Sequence, residues 1–298
     1  MKSKGLVSVS SALALAVAAA GVVVSALAPT TRTVHVTVVD NQGQPVTDLT
    51  AADFTLKEGG KDREITGVEV AKAPLEVALA VEESLTPLGA VRQGLADFMQ
   101  RIATRGQVSL VVVGQSNQTA VPATSDMNAF VAGINALPLS QRQGQVNHVP
   151  EGVADLSRAF SKSRPERPVI VMIAMDTQQA SSEDPQNVLN LLKDSNALFH
   201  VVSIQGSGLS GSAAELMESR GRQQVLGDGP KQSGGRQWPV TALTAIPKVM
   251  QQIAGELTSQ YRISYTLPDG QKPSDRLQVT TKRRSVTLRS PTRITDKF

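Results

Sequence analysis

A chain of 298 residues, 40% hydrophobic and with 23 glycines, has the composition of a globular protein built as one large domain or two small ones. The lack of cysteine excludes a disulfide framework, a zinc ribbon, a cysteine protease and a thiol-anchored lipid. Aromatic residues are 3% of the chain, too few for stacking-based recognition of single-stranded nucleic acid, and three histidines leave little for a histidine-rich metal site. The net charge of +4 is unevenly spread: Lys2 and Lys4 sit at the extreme N-terminus, and residues 272–298 carry eight basic side chains against two acids. That tail reads as a solvated strand face on a mildly acidic body, not as a nucleic-acid patch.

The first element is a leader. Lys2 and Lys4 precede an apolar and small-residue run from Leu6 to Ala28 that ends in Ala26-Leu27-Ala28, the three parts of a secretory signal. Pro29 is awkward just after a cut, and the run is long enough to span a bilayer, so a cleaved signal and a retained N-terminal anchor both stay open. The expected location is exported: periplasmic, secreted or attached to the cell envelope, with membrane contact only through an uncleaved leader.

Beyond the leader, Val34, Val36 and Val38 alternate with His35, Thr37 and Val39, which predicts a strand, and Ile65 to Val70 predicts another. After Pro74 the pattern changes. Leu75 to Val81, Val108 to Val113, Val169 to Ala174 and Leu198 to Ile204 are nearly continuous apolar runs, as in strands buried on both faces. Amphipathic helices alternate with them. Pro87 opens one with Leu88, Val91, Leu95, Phe98, Met99 and Ile102 on one face; others are expected over 127–137, 151–160, 188–194, 212–219 and 245–257. From Tyr261 the alternation of two returns.

The predicted fold class is therefore α/β, a doubly wound, mostly parallel, Rossmann-like sheet with a small flanking β-sandwich made of N- and C-terminal strands. The expected divisions are 1–28 as signal peptide or anchor, 29–73 as an N-terminal β segment, 74–258 as the α/β domain, and 259–298 as a C-terminal β segment packing with 29–73.

Ligands of open α/β sheets bind beyond the carboxyl ends of strands. Three stretches qualify: Glu82-Glu83-Ser84-Leu85-Thr86, Gln145-Val146-Asn147-His148 and Met175-Asp176-Thr177. Carboxylates, hydroxyls and an amide oxygen form an all-oxygen set suited to hard cations.

The run Leu75–Thr86 resembles the first strand and metal loop of von Willebrand factor A domains, whose metal-ion-dependent adhesion site has the pattern Asp-x-Ser-x-Ser. Glu82, Ser84 and Thr86 fall on those positions, Asp176 on the acidic position of the third loop, and Asn147 on the middle-loop threonine. The stretches 36–56 and 256–265 are similar to the β lead-in and close of an exported bacterial subfamily, so the resemblance covers nearly the whole mature chain. It implies a von Willebrand factor A-like fold with a degenerate site: Glu82 stands for Asp, Leu85 for a small residue and Asn147 for Thr. The metal ligands it implies are Glu82, Ser84, Thr86, Asn147 and Asp176, holding Mg2+, or Mn2+ or Ca2+. A bound ion would then take an acidic residue of a protein partner.

Other signals carry less. Gly206-Ser207-Gly208-Leu209-Ser210-Gly211 has the spacing of a dinucleotide loop with Asp228 as ribose acid, but it lies late in the chain. Gly114-Gln115-Ser116-Asn117-Gln118 lacks the last glycine of an esterase elbow. His200 reads as a core residue, His148 as a loop surface residue near the site and His35 as an exposed strand residue. The expected function is an exported, non-enzymatic protein-binding or adhesion module. The alternatives are a metal-free structural envelope protein and a hydrolase or nucleotide-dependent enzyme.

Overall fold

The computed structural model describes residues 30–85, 89–137, 148–176, 183–205 and 213–295. The leader, Thr86, Asn147 and the glycine motif at 206–211 lie outside the described residues. Among those described, no helix is long and apolar enough to cross a membrane.

The chain begins with β1 (Thr30–Asp40), β2 (Phe54–Glu58), β3 (Lys61–Arg63) and β4 (Ile65–Val70). The α/β part follows as β5 (Leu75–Glu82), α1 (Gly89–Ile102), β6 (Gly106–Val113), β7 (Asn117–Thr124), α2 (Met127–Asn135), α3 (Val149–Ser163), β8 (Arg167–Asp176), α4 (Pro185–Ser195), β9 (Leu198–Gln205), α5 (Ala213–Ser233), β10 (Gln237–Val240) and α6 (Ile246–Thr258). It closes with β11 (Tyr261–Leu267), β12 (Leu277–Thr281) and β13 (Val286–Arg289).

Six strands form the central sheet in the order β10-β9-β8-β5-β6-β7, parallel except for β7. Strand β5 shows why helices cover both faces. Leu75, Val77, Leu79 and Val81 pack with Leu95, Phe98 and Met99 of α1 and with Met250 and Ile253 of α6. Its Ala78 and Ala80 point the other way, into a core with Val153 of α3, Val188 of α4 and Val225 of α5. Side chains alternate across a strand, so one apolar run supplies two cores.

The terminal strands form two further sheets, β13-β1-β11-β4 and β12-β2-β3. Strand β1 runs antiparallel to β11, with Val34 opposite Ile263, and continues against β13, with Val38 opposite Leu288. Val34, Val36, Phe54, Leu56, Tyr261, Ile263, Tyr265 and Val279 face inward between the sheets. Phe54 and Tyr261 meet edge to face at 5.7 Å, and the Tyr261 hydroxyl accepts from the Leu49 N–H at 3.0 Å. The α/β part is thus inserted between the two halves of one β-sandwich.

Three elements differ from the sequence reading. Strands β7 and β10 are not among the expected elements; each contains a proline, Pro122 and Pro239, and both lie at sheet edges, where proline is tolerated. The helix expected over 212–219 is α5 and runs on to Ser233 through Gly221, Gly227, Gly229 and Pro230. Two of those glycines are there for close packing: a Cβ on Gly221 would lie 3.1 Å from Pro185, and one on Gly229 would lie 2.9 Å from the Phe199 ring. His35, read as exposed, is half-buried, and its pKa is lowered to about 4 by burial and by Arg167 and Arg262.

Candidate functional site

The strand order reverses between β5 and β8, so the crevice at their carboxyl ends is the topological switch point where open α/β sheets take ligands. Glu82 ends β5 there and is fully buried. Its Oε2 accepts the Met175 N–H at 2.7 Å and Nη2 of Arg222 at 2.9 Å. The same Nη2 donates to the Met175 carbonyl at 2.7 Å. Arg222, on α5, is 1% exposed. The carboxylate is therefore closed between two strands and one helix, with a guanidinium as its counter-ion.

Next to it, Glu83, Ser84 and Leu85 make one short 3-10 turn. Leu85 turns inward to the α1-side core, which accounts for a large residue in a tight loop. Glu83 lies over Gly114, the residue after β6; a side chain at 114 would collide with its carboxylate. The Gly114 carbonyl accepts the His148 N–H at 3.0 Å, and Gly152 of α3 sits so close to β6 that a Cβ would lie 2.8 Å from Val113. The end of β5, the end of β6 and the start of α3 thus come together. Asp176 ends β8 on the same edge and is exposed, as is Ser84. Of the five expected ligand positions, Glu82, Ser84 and Asp176 are described and share this edge.

The fit to a divalent ion is decided by Glu82. An ion at the usual oxygen distances, about 2.0–2.6 Å, would have to replace the two N–H donors on Oε2. Among the described residues, no group of three or more Asp, Glu or His side chains is placed to hold a metal. With Arg222 in place, Oε2 of Glu82 is already taken and does not fit as a metal ligand. Sequence reading missed Arg222. The signal available was indirect: a carboxylate ending an otherwise apolar strand needs a buried cation, but nothing local says which of 30 basic residues supplies it.

The groups considered for catalysis lie apart. His148 caps α3, and its Nδ1 lies 3.4 Å from Glu151 of the same helix. His200 lies inside β9; its Nδ1 accepts the Arg236 N–H at 3.2 Å and the Trp238 Nε1–H at 3.3 Å, and burial lowers its pKa to about 3. Asp228, weighed as a ribose acid, is on α5 and pairs with Lys231 at 3.6 Å. In the basic tail, Arg283 reaches Asp48 at 3.2 Å, Arg293 reaches Asp275 at 3.0 Å and Arg289 pairs with Glu256.

A cavity of about 160 Å³ opens at the other end of the sheet, between β1, the start of β8, α4 and residues 291–295. Its cations are already committed: Arg32 to Glu58, Lys193 to Asp194, and Arg167 to the carbonyls of Ala73 and Leu257. The switch-point edge remains the candidate site.

No family profile and no curated protein matches the sequence. Among solved structures, the chain is similar to a von Willebrand factor type A protein from Catenulispora acidiphila, at 12% identity and TM-score 0.47, over 81% of this chain and 73% of that one. It is similar to proximal thread matrix protein 1 from the mussel byssus, solved with a zinc-occupied MIDAS motif, at 13% identity and TM-score 0.45, over 63% and 48% of the two chains. It is also similar to the vWF domain of the type V pili tip protein Mfa5 from Porphyromonas gingivalis, at 10% identity and TM-score 0.42, over 62% and 96%.

Proposed function

We propose that this chain is an exported, non-enzymatic protein-binding module that meets its partner with the loops at the carboxyl edge of the central sheet. The observation that supports this is the division of labour at the switch point. Three chain segments are drawn together there, Ser84 and Asp176 are presented outward, and Glu83 and His148 are half-exposed beside them. The one fully buried acid of the edge, Glu82, is closed off from the outside and paired with Arg222. Neither His148 nor His200 has a serine hydroxyl as hydrogen-bond partner among the described contacts, as nucleophilic catalysis would require. Asp176 puts an exposed carboxylate on this edge, which N–H donors of a partner surface complement. Export rests on Lys2, Lys4 and the apolar run that follows.

The test is site-specific photocrosslinking in cells from positions 84 and 176, with position 231 on α5 as the control. Protein adducts from 84 and 176 that disappear in Asp176→Lys are the expected result. Adducts of equal yield from position 231, or none from the upper edge, overturn the reading in favour of a purely structural envelope protein.

A further inference from the structure

We infer that Arg222 is the resident cation of the switch-point crevice, holding by a guanidinium the place that a divalent ion would take beside Glu82, so that the folded protein has no use for a metal there. The inference stands on the buried geometry alone and does not depend on whether the outer loops bind a protein.

A carboxylate removed from water must be matched by a positive charge or lose its own. Glu82 is wholly buried, and the described cation that contacts it is Arg222. The atoms gathered around Nη2 are those that a hard cation would select: a carboxylate oxygen at 2.9 Å and the Met175 carbonyl oxygen at 2.7 Å. Asp176 follows directly in the chain at the exposed end of β8. The protein thus has oxygen donors converging on one point and fills that point with its own side chain. The second arm of the fork, Nη1, is buried and has no hydrogen-bond partner, so the guanidinium is held as a charge more than as a fully bonded group. Removing the side chain would leave the oxygens, the carboxylate of Glu82 without this counter-ion and a space the size of the guanidinium. A hydrated Mg2+ or Mn2+ supplies all that is then missing, because it keeps several of its waters and needs only one or two carboxylates.

The experiment is thermal unfolding of the full chain as wild type, Arg222→Ala, Arg222→Lys and the double variant Glu82→Gln/Arg222→Ala, each in EDTA and in millimolar Mg2+, Mn2+ or Ca2+. The wild type should unfold at one temperature in every condition. Arg222→Ala should lose roughly 10 °C in EDTA, the scale expected when a buried ion pair loses one partner, and regain at least half of it in Mn2+ or Mg2+. The double variant should be more stable than Arg222→Ala in EDTA and should not respond to metal. Mn2+ immobilised on Arg222→Ala and not on wild type, read by electron paramagnetic resonance, gives the same answer without unfolding. A wild type stabilised by any of the ions overturns the inference, as does an Arg222→Ala variant that no ion restores. If Arg222→Ala does not fold, recovery of folding in the double variant supports it, and failure of both variants to fold while Arg222→Lys folds overturns it.

Discussion

Gln260 accepts a hydrogen bond from Arg167 Nη2 at 3.0 Å through its side-chain oxygen, while its side-chain nitrogen donates to Thr37 Oγ1 at 3.2 Å. One carboxamide therefore joins the first residue of β8, in the central sheet, to β1 of the flanking sandwich. Arg167 reinforces the joint by donating to the carbonyls of Ala73 at 2.9 Å and Leu257 at 2.7 Å, on the two segments that cross between the parts. Burial, with Arg105 nearby, lowers its pKa to about 10, so it is charged at any physiological pH.

Arg167→Leu leaves several buried acceptors unpaired and should destabilise the protein by about 3 kcal/mol. The aromatic residues make a sharper readout possible. The one tryptophan, Trp238, reports on the central sheet, and both tyrosines, Tyr261 and Tyr265, lie on β11 in the sandwich. In wild type the Trp fluorescence and Tyr absorbance transitions in urea should coincide. In Arg167→Leu they should separate, with coincidence in the variant counting against a coupling role.

Glu58 is the buried centre of an ion triad, paired with Arg32 of β1 and with Arg63 of β3, the latter at 3.3 Å. All three side chains are at most 7% exposed. Glu58→Gln removes the only carboxylate of the triad and leaves two buried guanidiniums facing each other. A loss of about 3–5 kcal/mol in denaturant titrations is expected, against near neutrality for Asp62→Asn, whose pair with Lys57 is exposed.

The buried histidines set an acid limit. Their pKa values in the folded state, about 3 for His200 and about 4 for His35, lie below the ordinary 6.5 because burial disfavours the charged ring. Between about pH 6.5 and 4 the unfolded chain thus binds more protons than the folded one, and stability falls as pH falls through that window. Protonating His200 would also turn Nδ1, an acceptor for two donors, into a third donor. The slope of unfolding free energy against pH should be positive over this range and shallower in His35→Gln and in His200→Gln; unchanged slopes in both would refute the assignment.

Two glycines should differ sharply in what alanine costs. At Gly235 the new methyl would meet the Phe199 carbonyl on the neighbouring strand, a backbone atom that cannot swing aside. At Gly114 it would meet the end of the Glu83 side chain, which can. Gly235→Ala should cost about 3 kcal/mol or more, and Gly114→Ala under about 1 kcal/mol, both read by chemical denaturation.

The parts of the fold visible in the amino-acid order are those governed by hydrophobic period. The unbroken runs of β5, β6, β8 and β9 and the stripe of α1 could hardly be read otherwise, since each must be buried on two faces or one. What escaped reading depends on neighbours far away in the chain. Pro122 and Pro239 argue against strands until their edge positions are known. Gly221 and Gly229 look like helix breakers until Pro185 and Phe199 are seen packed against them. At the site, the loops of Glu82, Ser84 and Asp176 could be found from where the apolar strands end, and the resemblance then picked out the three residues. Arg222 could not, because 140 residues separate it from the carboxylate it neutralises.

The pairing of β1 with β11 has a consequence for how the chain acquires its structure. Val34 meets Ile263 only after more than two hundred intervening residues have been laid down, so the sandwich closes a very long loop. A loop that long is entropically slow to close as an open coil, but much faster once its interior has condensed. The central sheet, whose strand partners are nearer in sequence, is the natural first product, and its ordered ends then deliver β4 and β11 side by side. Until that moment β1 is an unpaired apolar strand, open to aggregation or to capture by a holding chaperone. The last strands to be synthesised therefore set the time for which the first one needs protection.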